Sequence, residues 1–291
     1  MISLPWYVFA LSAAFILAVV AVLEKKTLAN ESPLHFSFAV TVVGGLLSTP
    51  FLFFIPWEAL SLSELLVLVA ATCANVTGFW LVAKATKVLE ASEVSVLLST
   101  TPAAIALFGF LFLGEMLSAE QTLGILFIVL GLMVLELPHL FQTLRRKKLR
   151  EFVFVGIVGI AIVIYAASSV IDRVVLTTFG ITPFHFIVFV QAMSMVVFAL
   201  IELVASRGSL LAFGPFLRSP VKVLAVALLL SLSRVMYAQA VSLVYAALAA
   251  SVKRTGALFT VLLSGALLKE QGLIRKLAAV LLIIAGAITL I

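Results

Sequence analysis

Ser32-Pro33-Leu34-His35-Phe36 opens one long apolar run, and Thr182-Pro183-Phe184-His185-Phe186 opens another 150 residues later. In each, a Ser or Thr stands where it can cap a helix, and a Pro occupies the first turn, where its missing N–H costs nothing. A second echo closes each half. Leu113-Gly114-Glu115-Met116 precedes an apolar run holding Gly124 and Gly131, and Leu268-Lys269-Glu270 precedes one holding Gly286, at an offset of 155 residues. Two echoes in matching order divide the chain into a first repeat (1–137), a basic connecting loop (138–151) and a second repeat (152–291).

Working outward, ten apolar runs cover residues 5–23, 34–55, 64–86, 93–113, 118–137, 152–172, 184–205, 221–244, 247–268 and 273–291. A bilayer core about 30 Å thick takes roughly 20 apolar residues as helix. A lipid-exposed chain must satisfy its own backbone hydrogen bonds, and these runs are too long and too uniformly apolar for barrel strands. The predicted class is an all-α membrane protein with ten transmembrane helices as two inverted five-helix repeats. An odd number of spans per repeat turns the second half over, the arrangement by which secondary transporters expose a central site to each side in turn.

Composition agrees. The chain is 64% hydrophobic and 11% charged, and its 19 basic and 13 acidic side chains cannot coat a globule of 291 residues. Lipid must cover much of the surface. The net charge is +6, but the basic residues fall in short gaps between apolar runs, so anionic lipid headgroups, not nucleic acid, are the expected partner. Cys73 stands alone in an apolar run, which leaves no internal disulfide and argues against redox chemistry. Pro5 to Leu23 has no Lys or Arg before it and ends at Glu24-Lys25-Lys26 without a small-residue cleavage site, so it reads as a permanent span. No zinc-protease, hydrolase or phosphate-loop motif occurs, and no Cys/His metal spacing, so neither enzyme activity, a metal, a cofactor nor ATP-driven pumping is indicated. Oligomeric state is not set by the sequence.

One face of the predicted bundle holds Lys25, Lys26, Lys84, Lys87, Arg145-Arg146-Lys147-Lys148, Arg150, Arg207, Arg218, Lys222, Lys269, Arg275 and Lys276. The other, which carries both termini, holds essentially Arg173. The positive-inside rule then puts the central loop in the cytoplasm and the termini outside.

Most charges stand at span ends, where long side chains snorkel; Lys84, Lys87, Glu136, Asp172 and Glu202 are of this kind. Three do not. Arg234 is near the middle of the eighth span, and Lys253 and Arg254 are one to two turns inside the ninth. A basic residue at the bilayer centre costs about 3 kcal/mol on insertion scales, so it faces a polar cavity or a partner. With no acid at similar depth in these two helices, an anionic ligand is the simplest partner. The competing reading has Lys253 and Arg254 reach headgroups, or pair with Glu93 or Asp172. Tyr237 shares a helix face with Arg234. Asn75 and Trp80 lie in the third span, the counterpart of the eighth. Thr100, Thr101 and Pro102 match Arg254 to Ala257, and Pro102 can kink the fourth span. The candidate substrate-binding set is therefore Arg234, Lys253, Arg254, Tyr237, Asn75 and Thr100. No mid-span carboxylate stands out for proton coupling, which favours facilitated exchange. His35 and His185 read as structural, and Gly44-Gly45, Gly156 with Gly159, and Gly265 as close-packing positions.

Ten spans in two repeats, each closing with a Gly/Lys-Glu turn before a Gly-containing last helix, resemble the EamA-type branch of the drug/metabolite transporter superfamily. The segments from Leu113 to Gly131 and from Leu268 to Gly286 carry the resemblance, which spans essentially the whole chain. It implies a multi-pass cell-membrane transporter with a cavity between its halves, moving a small-molecule metabolite by alternating access, by export or exchange. It also implies both termini inside, opposite to the charge count. Ser251-Val252-Lys253-Arg254-Thr255 is similar to the dibasic stretch with which plastid phosphate translocators of the superfamily hold phosphate. Only Lys253 and Arg254 carry over, and Leu98-Ser99-Thr100-Thr101 lacks the basic residue those translocators place there. The rival reading is a non-transporting membrane receptor or scaffold, which gains nothing from inverted symmetry.

Overall fold

The computed structural model describes residues 4–27, 33–55, 57, 61–85, 88–89, 94, 97–144, 149–205, 218–265 and 273–290. The side chains of Lys25, Lys26, Ser32, Lys87, Glu93, Glu136, Arg145–Lys148, Arg150, Glu202, Arg207, Leu268, Lys269, Glu270, Arg275 and Lys276 lie outside this description. Every described element is helical, and no strand occurs among them.

The helices are α1 (Trp6–Thr27), α2 (Pro33–Ser48), which runs into a 3-10 turn at Thr49–Phe54, α3 (Leu62–Ala85), and α4 (Thr101–Phe108), which widens into a π-turn at Gly109–Leu113. Then follow α5 (Ala119–Leu144), α6 (Leu149–Thr178), α7 (Pro183–Ala205), α8 (Pro220–Leu243), α9 (Ala246–Arg254), α10 (Gly256–Gly265) and α11 (Leu273–Leu290). Five stretches are long and apolar enough to cross a bilayer: Trp6–Leu23, Leu62–Val82, Phe152–Thr178, Pro183–Leu200 and Pro220–Leu243. Four shorter apolar stretches accompany them. Helix α5 continues past Pro138 to Leu144 and α6 begins at Leu149, so the basic connection is helical on both sides of Arg145–Lys148.

Local chemistry sets the starts. Proline opens α2, α7 and α8, and the Thr182 hydroxyl accepts a hydrogen bond of 3.2 Å from the His185 backbone N–H, capping α7. Thr182→Ala is expected to cost about 1 kcal/mol, read as a lower thermal midpoint in detergent. An unchanged midpoint would show the cap to be dispensable.

Two rods are broken at matching places. Thr255 separates α9 from α10, and its hydroxyl donates to the Val252 carbonyl at 2.7 Å. Thr100 forms the turn before α4, and its hydroxyl donates to the Leu97 carbonyl, also at 2.7 Å. Pro102 therefore sits in the first turn of a helix that starts after the break; it does not kink a continuous one.

The most extensive packing pairs α5 with α11, α1 with α8, α3 with α6, and α2 with α7. Helix α1 also lies on α10, α6 on α4, α8 on α2, and α3 on α7, while α4 crosses α9. The buried core gathers Leu68, Ile128, Leu248, Val252 and Ile283. Phe112, Leu130, Val163 and Leu281 point outward, the side that lipid would wet. At the α5–α11 contact a Cβ on Gly286 would stand 2.6 Å from the Gly124 carbonyl oxygen. Only a residue without a Cβ lets the two backbones come this close. Gly44 and Gly45 pack against Gln191 and Met195 of α7, as expected, whereas Gly156 and Gly159 meet nothing within 4 Å. That corrects their reading as packing positions: they lie on an open face of α6. Gly265 ends α10, and its surroundings fall outside the described side chains.

Candidate functional site

Helix α6 carries Tyr165, Ser168, Ser169 and Asp172 at spacings of three and four residues, which puts them on one face. Helix α8 contributes Arg234 and Tyr237 from a single turn, and α9 contributes Lys253 and Arg254 in its last turn. The end of α9 suits them, because the C-terminal end of a helix carries partial negative charge.

These residues meet. Lys253 Nζ stands 3.9 Å above the centre of the Tyr237 ring, a cation–π contact whose worth rises toward about 2 kcal/mol when water is excluded. Ser169 hydrogen-bonds the Tyr237 hydroxyl. Arg254 Nη2 donates to Thr101 Oγ1 at 3.3 Å, joining α9 to the start of α4. Lys253 feels the charges of Arg254, Arg234 and Asp172, and Tyr165 those of Arg254 and Arg234. The Tyr165 ring rests on Gly78 of α3, where a Cβ would come within 2.8 Å of it. Among the described residues, the Arg254–Thr101 contact is the one protein hydrogen bond made by Arg234, Lys253 and Arg254. The charged groups are crowded by protein, yet Asp172, Arg234, Lys253 and Arg254 all keep an intermediate share of accessible surface. They form a polar cluster inside an apolar bundle.

Of the sequence-derived candidates, Arg234, Tyr237, Lys253 and Arg254 come together here. Asn75 joins through α6, its Nδ2 donating to Ser168 Oγ at 2.6 Å. Thr100 does not join by its hydroxyl, which the Leu97 carbonyl takes up; its neighbour Thr101 meets Arg254 instead. The sequence reading missed Tyr165 and Ser169, and it named Asp172 only in the competing reading, as a partner for Lys253 and Arg254. It took Asp172 for a snorkelling charge at a span end, but α6 continues to Thr178 and Asp172 turns toward Lys253. The signal that could have found it is the Tyr165-x-x-Ser168-Ser169-x-x-Asp172 stripe. Lys84 stands outside the cluster: it is exposed, with Nζ 5.0 Å from the centre of the Trp80 ring.

Arg173 leaves the cluster. Its Nη1 donates to the Val241 carbonyl in the last turn of α8, and its Nε lies 3.6 Å from Glu115 Oε1. Glu115 follows Gly114, whose φ of 66° ends the π-turn; that left-handed backbone is one glycine adopts without strain. The Glu115 N–H donates to the Gly109 carbonyl at 3.1 Å. Burial pushes the Glu115 carboxyl above its ordinary value, against the opposing pull of Arg173. A separate groove of ≈ 350 Å³, lined by Val67, Phe108, Phe112, Ala167, Val170 and Val174, has no polar lining. It suits acyl chains, not a polar solute.

Residues 4–137 match the EamA-like transporter family, consistent with an EamA-type drug/metabolite transporter. A solved crystal structure of a protein is similar to this chain with a TM-score of 0.76 at 15% identity, covering 98% of this chain and 95% of that one. At that identity the likeness shows the fold alone. No curated protein matches the sequence. The apolar helices and the family match support an integral membrane protein, and the family matched over residues 4–137 is one of membrane transporters of small molecules.

Proposed function

We propose that the whole chain is a secondary transporter of ten spans in two inverted five-helix repeats, residues 1–137 and 152–291, joined by 138–151. It moves a small anionic metabolite across the cell membrane by alternating access, in export or exchange. Arg234, Lys253 and Arg254 bind the anion in a chamber between the halves, with Tyr237, Asn75 and Thr100 shaping its wall.

The observation that carries this reading is three cations beside a single carboxylate, Asp172, which faces Lys253, where α6, α8, α9 and the start of α4 converge. Buried charges need partners, and the protein supplies too few. A ligand carrying negative charge supplies the rest. The same imbalance favours exchange, because a carrier returning without its anion would take uncompensated charge across the apolar bundle.

Two further observations support the repeat. The packing pattern maps onto itself when first-half and second-half partners are exchanged: α1–α8 becomes α6–α3, α1–α10 becomes α6–α4, and α2–α8 becomes α7–α3, while α5–α11 and α2–α7 are their own images. The helix breaks at Thr100 and Thr255 also stand 155 residues apart, the offset of the Glu115 and Glu270 echo.

Counterflow tests the function. Proteoliposomes loaded with a mixture of phosphorylated, carboxylate, amino-acid and cationic compounds are diluted into trace amounts of each labelled compound. At least one anion is expected to accumulate transiently, and the cationic compounds are not. No counterflow of any solute by protein of intact fold would favour the receptor or scaffold reading.

A further inference from the structure

The Gly114-Glu115 turn, singled out by its place in the repeat, takes no part in the cation cluster. We propose that Glu115 and Arg173 form a latch that holds shut the chamber mouth on the terminus-bearing face. The inference rests on the proposed chamber and its alternating access.

Three segments meet at this point. Glu115 lies between α4 and α5 in the first half, Arg173 near the C-terminal end of α6, and Val241 in the last turn of α8, both in the second half. With spans alternating in direction, all three come to the same mouth. Arg173 bridges them, with Nε 3.6 Å from Glu115 Oε1 and Nη1 donating to the Val241 carbonyl. The contact therefore crosses between the halves, which must part for this mouth to open. Its side chains are 17% and 12% exposed, so water and salt screen the pair less than they would at a surface.

Glu115 is held in place for the task. Gly114 turns the backbone and the Glu115 N–H closes onto the Gly109 carbonyl. Gly109 also leaves room for the carboxylate, since a Cβ there would stand 2.6 Å from Glu115 Oε2. Asp172 and Arg173 are consecutive, so one turn of α6 carries the chamber's carboxylate and the mouth's cation. Val241 lies a few residues before α9, whose last turn bears Lys253 and Arg254. Anything that shifts the chamber cations relative to α6 strains the latch.

The test uses the full chain with Cys73→Ser and a single chamber cysteine, Thr101→Cys, beside Arg254, in sealed vesicles. A membrane-impermeant maleimide is added from either face. With the latch intact, labelling from the terminus-bearing face is expected to be slow. Glu115→Gln and Arg173→Gln should each speed it by about fivefold or more, the scale on which losing one partly buried ion pair shifts a two-state population. Arg173→Lys, which keeps a cation able to pair with Glu115 and to donate to the Val241 carbonyl, should keep labelling slow, which separates a latch from general loosening. If Glu115→Gln and Arg173→Gln label from that face at the original slow rate while Thr101→Cys still reacts from the opposite face, the latch is wrong and the chamber stands. If Thr101→Cys reacts from neither face in any variant, yet reacts fully once the protein is denatured, the chamber itself is wrong and the latch goes with it.

Discussion

Replacing Lys253 by glutamine is expected to cut anion counterflow by about tenfold to a hundredfold while leaving the protein folded. A hydrogen bond to a charged group contributes about 1.5–3 kcal/mol, and each 1.4 kcal/mol is a factor of about ten. The fold should survive because Lys253 stands against two further cations, Arg254 and Arg234, whose repulsion offsets part of what it gains from Asp172. Removing it relieves repulsion from Arg254 and Arg234, at the cost of the cation that faces Asp172. The Tyr237 ring loses its cation–π partner but keeps its hydrogen bond from Ser169. Initial counterflow rates and the thermal midpoint, measured on the same preparation, separate the two effects. Counterflow within twofold of the original would remove Lys253 from the binding site. The cause lies in sequence, since Lys253-Arg254 ends α9 just before the Thr255 break and is thereby set at the crossing of both halves.

The largest loss of stability is expected from Gly286→Leu. The α5–α11 contact is the most extensive between any two described helices, and at Gly286 it is backbone against backbone. A Cβ there would meet the Gly124 carbonyl oxygen at 2.6 Å and the Ile128 nitrogen at 2.9 Å. Neither is the end of a flexible side chain, so the helices themselves must separate. Overpacking of this kind typically costs about 1–3 kcal/mol, and more where backbone must move. The expected result is a sharp fall in the monodisperse fraction and in the thermal midpoint. Gly156→Leu is the matched control, because nothing lies within 4 Å of its would-be Cβ. It should change stability by less than about 0.5 kcal/mol. Equal behaviour of the two variants would mean that the helix contact is not as close as described.

How much could be read in advance follows from which signals are local. The helical class, the starts at Pro33 and Pro183 and the Thr182 cap were legible, because each depends on neighbours in sequence. So was the oddity of Arg234, Lys253 and Arg254, which hydropathy alone exposes. Asp172 was not. The apolar run stops at Asp172-Arg173 and so suggests a span end, whereas backbone hydrogen bonding carries α6 on to Thr178. Thr100 was preferred over Thr101 for the same kind of reason: spacing locates a turn but not the rotation that decides which hydroxyl faces α9. Gly156 and Gly159 show the limit from the other side. A small-residue pair permits close approach, but only the tertiary arrangement determines whether a helix takes the opportunity.

The interruptions at Thr100 and Thr255 have a mechanical consequence. A continuous helix behaves as a stiff lever, so displacement at one end is transmitted to the other. A rod divided near its midpoint behaves as two shorter levers on a shared pivot. Here such a pivot divides α9 from α10, and a turn at Thr100 opens α4 where it crosses α9, beside the cluster of charges. Motion at one membrane surface can then be absorbed at the centre without reaching the far surface, which is the independence two doors need if they are never to stand open together.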